Sequence, residues 1–285
     1  MRRPYRKTEG PHSFETNAKR RYKARMSDLN ESQIQRYARH IVLREIGGIG
    51  QRRLLDARVL VIGAGGLGAP ALLYLAAAGV GNIGVLDHDR VDLSNLQRQI
   101  IHDSSGVDRL KVDSAADALT ALNSDVAIER HPRRFDRENA LDLVGRYDLV
   151  IDASDNFDTR YLANDACYLA GKPLVSAAAV GFDGQMSVYK AHLGAPHPCY
   201  RCFLPEPPPS ALAPTCATAG VIGALVGVMG SLQALEAVKE LLGVGDSLSG
   251  SMLLYSALET RFQKFRLPRD PDCALCGPNA TIKHV

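Results

Sequence analysis

Between Arg58 and Asp87 the chain reads as strand, glycine turn, helix and strand, and no other stretch narrows its possible folds so far. Arg58-Val-Leu-Val-Ile62 is a short β-branched run that ends in Gly63-Ala-Gly-Gly-Leu-Gly68. Ala69 to Ala78 is rich in Ala and Leu, and Asn82-Ile-Gly-Val-Leu-Asp87 is a second strand. Strands joined through a helix run parallel, and a parallel sheet needs helices over its faces. Further apolar runs at 126–128, 149–151 and 174–175 alternate with helical stretches at 111–122 and 159–169. The expected fold class is therefore α/β, a doubly wound, Rossmann-like, mostly parallel sheet with helices on both faces.

Ordered structure is expected from Asn30, where NESQ matches a capping box ahead of Ile34, Tyr37, Ala38, Ile41 and Val42 at helical spacing. A helix is expected from about Gly220 to Leu242 despite its glycines, and Met252–Leu258 and Arg261–Leu267 can pair as late strands. Between them, Pro205 to Pro214 is too dense in proline for a helix interior or a central strand, so it reads as an exposed connection. The net charge of +3 hides an asymmetry, since nine Lys/Arg against two Glu in residues 1–26 leave the rest of the chain at −4. Residues 1–26 thus read as a basic, disordered extension and 27–285 as a single domain. The extension has no periodic apolar face, and no nucleic acid partner is expected. The longest apolar stretch, 219–230, is shorter than the ~20 residues a span requires, and no membrane insertion is expected. The N-terminal MRRPYRK carries no apolar secretory segment, which fits a reducing cytoplasm.

A GxGxxG turn placed after a strand and before a helix lets backbone approach a phosphate or ribose at a helix N-terminus. Gly63, Gly65 and Gly66 are candidate nucleotide contacts, with Asp87 placed to accept from ribose hydroxyls. These features alone leave NAD(P) and ATP both open. Beyond Asp87 follow Ser94, Asn95 and Arg98, then Lys111 at a helix start and Asp155-Asn156 after a strand. Cations for phosphates and a carboxylate for Mg²⁺, all at strand carboxyl ends, suit a triphosphate better than a nicotinamide.

Two CxxC pairs, Cys199/Cys202 and Cys273/Cys276, supply the four thiolates of a structural Zn²⁺ site, and their long separation makes the metal a staple in the C-terminal portion. A redox CxxC is the rival reading. Cys167, among Ala and Tyr on an expected helix, reads as core, and the eight histidines show no ligand spacing.

The segments RYARHIVL (36–43), VIGAGGLG (61–68), LDHDRVDLSNLQRQ (86–99), DLVIDASDN (148–156), PCYRC, LAPTCATAGV (212–221), GSLQALEAVK (230–239) and CALCG together resemble the adenylyltransferases that activate ubiquitin-like sulfur carriers. The likeness runs from Met26 to Gly277 and is nearest the molybdopterin-synthase and thiamine sulfur-carrier members, relatives of the ubiquitin-activating enzymes. It implies a homodimer that uses ATP and Mg²⁺ to adenylate the C-terminal glycine of a small β-grasp carrier ending in Gly-Gly, in molybdenum cofactor or thiamine biosynthesis. It assigns Gly66 and Asp87 to adenosine, Ser94, Asn95, Arg98 and Lys111 to the phosphates, and Asp155 to magnesium. By the same resemblance Arg39 reaches into the partner subunit's site, and Cys216 matches a cysteine that in some relatives links covalently to the carrier. The chain stops soon after the second CxxC, so a separate sulfur donor is expected. The alternatives are an NAD(P)-dependent oxidoreductase on the same glycine fingerprint and a non-catalytic subunit of a heterodimeric activating enzyme.

Overall fold

The structure, a computed structural model, describes residues 29–209 and 219–285. The expectations for residues 1–26, for the last part of the proline-rich stretch and for Cys216 lie outside the described residues. The chain divides into two compact units, Met1–Arg53 and Leu54–Val285.

The first unit opens with the expected capping box. Asn30 Oδ1 accepts the Gln33 amide at 2.9 Å, and Gln33 Oε1 accepts the Asn30 amide at 3.2 Å, so two amides left over at the start of α1 (Glu31–Arg36) are satisfied reciprocally. The single helix expected over 30–42 is instead broken. Tyr37, its ring 2% exposed, takes φ −98° and ψ 15°, and a four-residue α2 (Ala38–Ile41) follows. Burying the tyrosine ring wins over helix continuity, and Val42, expected on the apolar face, is 66% exposed. Arg36 and Arg39 stand exposed. α3 (Gly47–Asp56) leads on towards the sheet strands.

In chain order the second unit then carries β1 (Arg58–Ile62), α4 (Gly68–Ala78), β2 (Asn82–Leu86), α5 (Lys111–Leu122), β3 (Ala127–His131), α6 (Ala140–Gly145) and β4 (Leu149–Asp152). α7 (Phe157–Leu169), β5 (Leu174–Val180), β6 (Asp183–Tyr189), α8 (Tyr200–Phe203), α9 (Gly223–Leu242), β7 (Ser251–Ser256) and β8 (Arg261–Arg266) complete it. One eight-stranded sheet results, in the order β3-β2-β1-β4-β5-β6-β7-β8. The first five strands are mutually parallel, and β6, β7 and β8 continue the sheet antiparallel. The two late strands do pair with each other, and they also extend the main sheet.

Side-chain alternation divides the core between two helical layers. Leu60, Ile62, Leu86 and Val150 point to one face, where Leu143 of α6 and Tyr161 of α7 meet them. Their neighbours Val59, Val61, Ile83 and Val85, none of them solvent-exposed, point to the other. There α4, α5 and α9 pack together. α4 is apolar all round because it lies between sheet and α9, and Gly230 of α9 explains a glycine in a long helix: a Cβ there would stand 2.2 Å from the Leu67 carbonyl oxygen. β8 is exposed along its whole length and carries Arg261, Lys264 and Arg266, charges that discourage a foreign strand from adding to the sheet edge. Among the described residues no helix is long and apolar enough to cross a membrane.

Candidate functional site

β1 continues to β2 on one side and β4 continues to β5 on the other, so the connections leave this neighbouring pair in opposite directions and open a crevice at their carboxyl ends. A cavity of about 1770 Å³ occupies that place. Gly63, Gly65, Gly66, Asp87, Arg98, Lys111, Asp155 and Asn156 all line it, although they come from five separate places in the sequence.

The glycine turn is built for close approach. Gly63 has φ 97°, a left-handed conformation, and a Cβ on Gly68 would lie 1.9 Å from the Gly63 carbonyl oxygen. Gly68 therefore belongs to the working turn although the sequence candidates stopped at Gly66; the GxGxxG spacing itself was the available signal. Asp87, at the end of β2, is 8% exposed; its Oδ2 accepts the Ala64 amide and its Oδ1 the Asp89 amide, both at 2.9 Å. On the other side of the same turn, His102 Nε2 lies 3.0 Å from the Ala64 carbonyl oxygen and Nδ1 lies 3.0 Å from Ser114 Oγ. A carbonyl only accepts, so Nε2 carries the proton, and in the neutral ring Nδ1 accepts from the serine hydroxyl. His102, invisible as a ligand in the sequence, is thus a brace for the turn. Burial, then the Lys111 charge, hold its imidazole below the usual range against the hydrogen bond to Ala64.

Lys111 heads α5 with its ammonium 2.9 Å from Asp89 Oδ2, the lysine side chain being 8% exposed and the aspartate 53%. Burial raises the Asp89 carboxyl, but the hydrogen bond and charge of Lys111 outweigh it and hold the group below the ordinary carboxylate range. Arg98 Nη1 donates to the Ser94 carbonyl at 3.1 Å. Ser94 and Asn95 sit on the 3-10 turn Leu93–Asn95, capped by Asp92, beside the cavity and outside its lining. Asn156 serves as N-cap of α7, its Oδ1 accepting the Thr159 amide at 2.9 Å. Asp155 is exposed at the cavity, and its carboxylate takes no hydrogen bond from the described residues. Behind it, Asp152, with no solvent exposure, pairs with Arg160 Nε at 3.1 Å, a pair no sequence pattern singled out. Arg39 belongs to the other unit, exposed on α2.

The second cluster is closed. Cys199, Cys202, Cys273 and Cys276 converge, with Sγ···Sγ separations of 3.8 Å (199 to 202), 3.5 Å (199 to 273) and 3.4 Å (202 to 276). A tetrahedral Zn²⁺ with bonds of about 2.3 Å sets its sulfurs roughly 3.8 Å apart, so the four thiols fit that ion. Hydrogen bonds from Cys199 and then Cys276 hold the Cys202 thiol below the usual range, while hydrogen bonds with Cys202 and then Cys276 push the Cys199 thiol up. Two independent redox pairs would have no reason to share one point. Around the knuckle, Arg269 Nη1 donates to the Ala191 and His197 carbonyls, each at 2.9 Å, and its Nη2 donates to the Cys276 carbonyl. α7 grips the other pair: Asn164 Oδ1 accepts the Tyr200 amide at 2.7 Å, and Asp165 receives a two-pronged bond from Arg201 at 2.8 and 2.7 Å. Cys167 is core, as expected, and burial pushes its thiol up.

The model of the ThiF family matches residues 37–275. A Thermus thermophilus sulfur carrier protein adenylyltransferase is 50% identical over 257 residues, 90% of this chain and 95% of the relative. A Sus scrofa adenylyltransferase and sulfurtransferase MOCS3 is 51% identical over 258 residues, again 90% of this chain but 56% of the relative, so the chain spans about half the length of that protein. Among solved structures, Escherichia coli MccB with ATP superposes with a TM-score of 0.73 at 20% identity, covering 94% of this chain and 82% of that one, which shows a shared fold.

Proposed function

The chain belongs to the ThiF family, and from that premise we propose that it uses ATP to adenylate the C-terminal glycine carboxylate of a small ubiquitin-like sulfur carrier, releasing pyrophosphate. The observation that carries the reading is the near full-length likeness to the Thermus thermophilus sulfur carrier adenylyltransferase, joined to a strand-end cavity that gathers the glycine turn, Asp87, Arg98, Lys111 and Asp155. The glycine fingerprint alone left NAD(P) open; the family supports ATP.

In the proposed reaction a carboxylate oxygen of the carrier forms a bond to the α-phosphorus while the bond from that phosphorus to the bridging oxygen of pyrophosphate breaks. A C-terminal carboxyl, with a pKa of about 3.5, is already ionised at neutral pH, so no general base is required. What the protein must supply is alignment and positive charge. The Gly63–Gly68 turn brings backbone against the nucleotide, and Asp87 stays on the ribose side with lone pairs left over after its two amide bonds. Arg98 and Lys111 neutralise phosphate charge, with Ser94 and Asn95 on the turn that holds Arg98. Lys111 shares its ammonium with Asp89 in doing so. Asp155, exposed with a free carboxylate, suits a Mg²⁺ ligand, and Asn156 fixes the helix start behind it. That ion, when bound, offsets the charge of the leaving pyrophosphate.

We further propose that the protein acts as a homodimer in which Arg39 serves the partner's site, that Zn²⁺ fills the four-thiol knuckle, and that a sulfur donor consumes the adenylated carrier in molybdenum cofactor or thiamine biosynthesis. A covalent role for Cys216 is part of the same proposal. The test is exchange of labelled pyrophosphate into ATP, measured with a small carrier protein ending in Gly-Gly. Exchange should need both the carrier and Mg²⁺. Mixing an Arg39→Ala variant with an Asp155→Ala variant should restore exchange that neither shows alone. Exchange without any carrier, or reduction of NAD(P)⁺ by a protein that ignores ATP, would overturn the reading.

A further inference from the structure

Asp155 stands on the short link between β4 and α7, and one buried ion pair grips that link from both ends. Asp152, the last residue of β4, has no solvent exposure. Its Oδ1 accepts the Ser154 amide at 3.0 Å and the Ser154 hydroxyl at 2.5 Å, while its Oδ2 accepts Arg160 Nε at 3.1 Å and the Ser176 hydroxyl at 2.6 Å. Arg160, in the first turns of α7 and 5% exposed, sends Nη2 to the Ser154 carbonyl at 3.1 Å and to the Ala177 carbonyl of β5 at 3.2 Å. Ser154 is therefore held at its amide by the carboxylate and at its carbonyl by the guanidinium. The next residue along the chain is Asp155. From α9, Gln233 Nε2 donates to the Asp152 carbonyl at 2.7 Å, so the pair is braced by a third element.

Stability alone accounts poorly for such a pair, because buried ion pairs are often replaceable by apolar residues without loss. Its geometry accounts for it better. The planar fork of arginine reaches a carboxylate and two carbonyls at once, which a lysine ammonium on a flexible stem does not. We propose that Asp152 and Arg160 are positioning residues that lock the Ser154–Asp155 peptide, so that the Asp155 carboxylate is held in one place at the cavity to serve the metal ion. The proposal rests on the reading of Asp155 as the magnesium ligand.

The decisive measurement needs no carrier. ATP is titrated onto the protein with excess Mg²⁺ and again with EDTA, and the ratio of the two affinities is the metal's contribution. In Arg160→Lys, which keeps the charge opposite Asp152 but loses the fork, that ratio should fall by about tenfold, as outer-shell changes around metals do, with the EDTA affinity within about twofold of wild type. A pair that only supports the fold would lower the number of binding sites per chain and leave both affinities of the folded molecules alone. An unchanged ratio in folded Arg160→Lys overturns the proposal. Should that variant fail to fold, Asp152→Asn, which keeps the shape and loses the charge, decides by the same ratio. Asp155→Ala separates the two levels of inference. If it abolishes the metal's contribution while Arg160→Lys does not touch it, the positioning role alone falls; if Asp155→Ala leaves the ratio unchanged, the metal reading of Asp155 falls and takes the positioning role with it.

Discussion

The strand-end cavity and the four-thiol knuckle are both assembled from distant stretches of sequence, but they are finished in opposite ways. The cavity is held together by groups that do not touch its interior, such as His102 behind the glycine turn and Asp152 behind Asp155, and it leaves the Asp155 carboxylate exposed. The knuckle buries its ligands, with Cys199, Cys273 and Cys276 each at most 4% exposed, and has four donors for a four-coordinate ion. An open position invites a reactant, and a filled tetrahedron only holds segments together. The difference teaches that, on the proposed reading, chemistry and cohesion are housed in separate places, a division that can be attacked residue by residue.

The largest expected effect falls on the open side. Asp155→Ala should lower carrier-dependent pyrophosphate exchange by about 10²–10³-fold, the scale of losing one electrostatic stabiliser, while the thermal midpoint stays put; a large drop in midpoint would mean that the cavity also carries cohesion. Cys199→Ser probes the closed side. It should lose bound zinc by metal analysis and melt roughly 10 °C lower, what a loss of ~4 kcal/mol gives a chain of this size. Were ATP affinity of the still-folded molecules to collapse as well, the two regions would be one.

Acid should find the brace behind the glycine turn. Because burial holds His102 and His131 below the usual imidazole range, the folded state binds fewer protons than the unfolded one at mildly acid pH. Stability is then full above about pH 6.5 and declines as pH falls towards the folded values, by up to ~1.4 kcal/mol per pH unit for each group. Denaturant unfolding at a series of pH values should show that slope, and His102→Gln should flatten it; an equal slope in the variant would remove His102 from the account. Smaller still, Asp89→Asn frees Lys111 from its exposed partner and should tighten ATP binding by about threefold, in the range of surface ion pairs. Weaker binding would show that Asp89 orients the lysine. Removing residues 1–25 should leave exchange within about twofold, since no candidate side chain precedes Arg39.

Local signals were readable, and buried polar connections were not. The run Arg58–Ile62 and the helix Lys111–Leu122 have the boundaries that their residues announce, since β-branched and Ala/Leu patterns act over a few neighbours. The capping box at Asn30 is equally local. The four cysteines were found by spacing, and all the candidates from Gly63 to Asn156 except Ser94 and Asn95 line one cavity. By contrast, the break at Tyr37 depends on where its ring is buried. Arg269, Asp152 and Arg160 look like ordinary charges in the sequence; only the fold reveals carbonyls and carboxylates converging on them. A charged residue whose partners lie tens of positions away carries no periodicity to read.

α7 joins the two regions directly: Asn156 caps it at the cavity, and Asn164 and Asp165 hold the first thiol pair. The helix thereby works as a gauge block. Eight residues of helix set a span of about 12 Å, and each added or deleted residue turns everything beyond it by about 100°. A substitution on the outer surface of α7 leaves that gauge intact, whereas an insertion of one residue swings Asn164 and Asp165 away from Tyr200 and Arg201 while the cavity end stays in place. Length between these two points is therefore expected to be far less negotiable than composition.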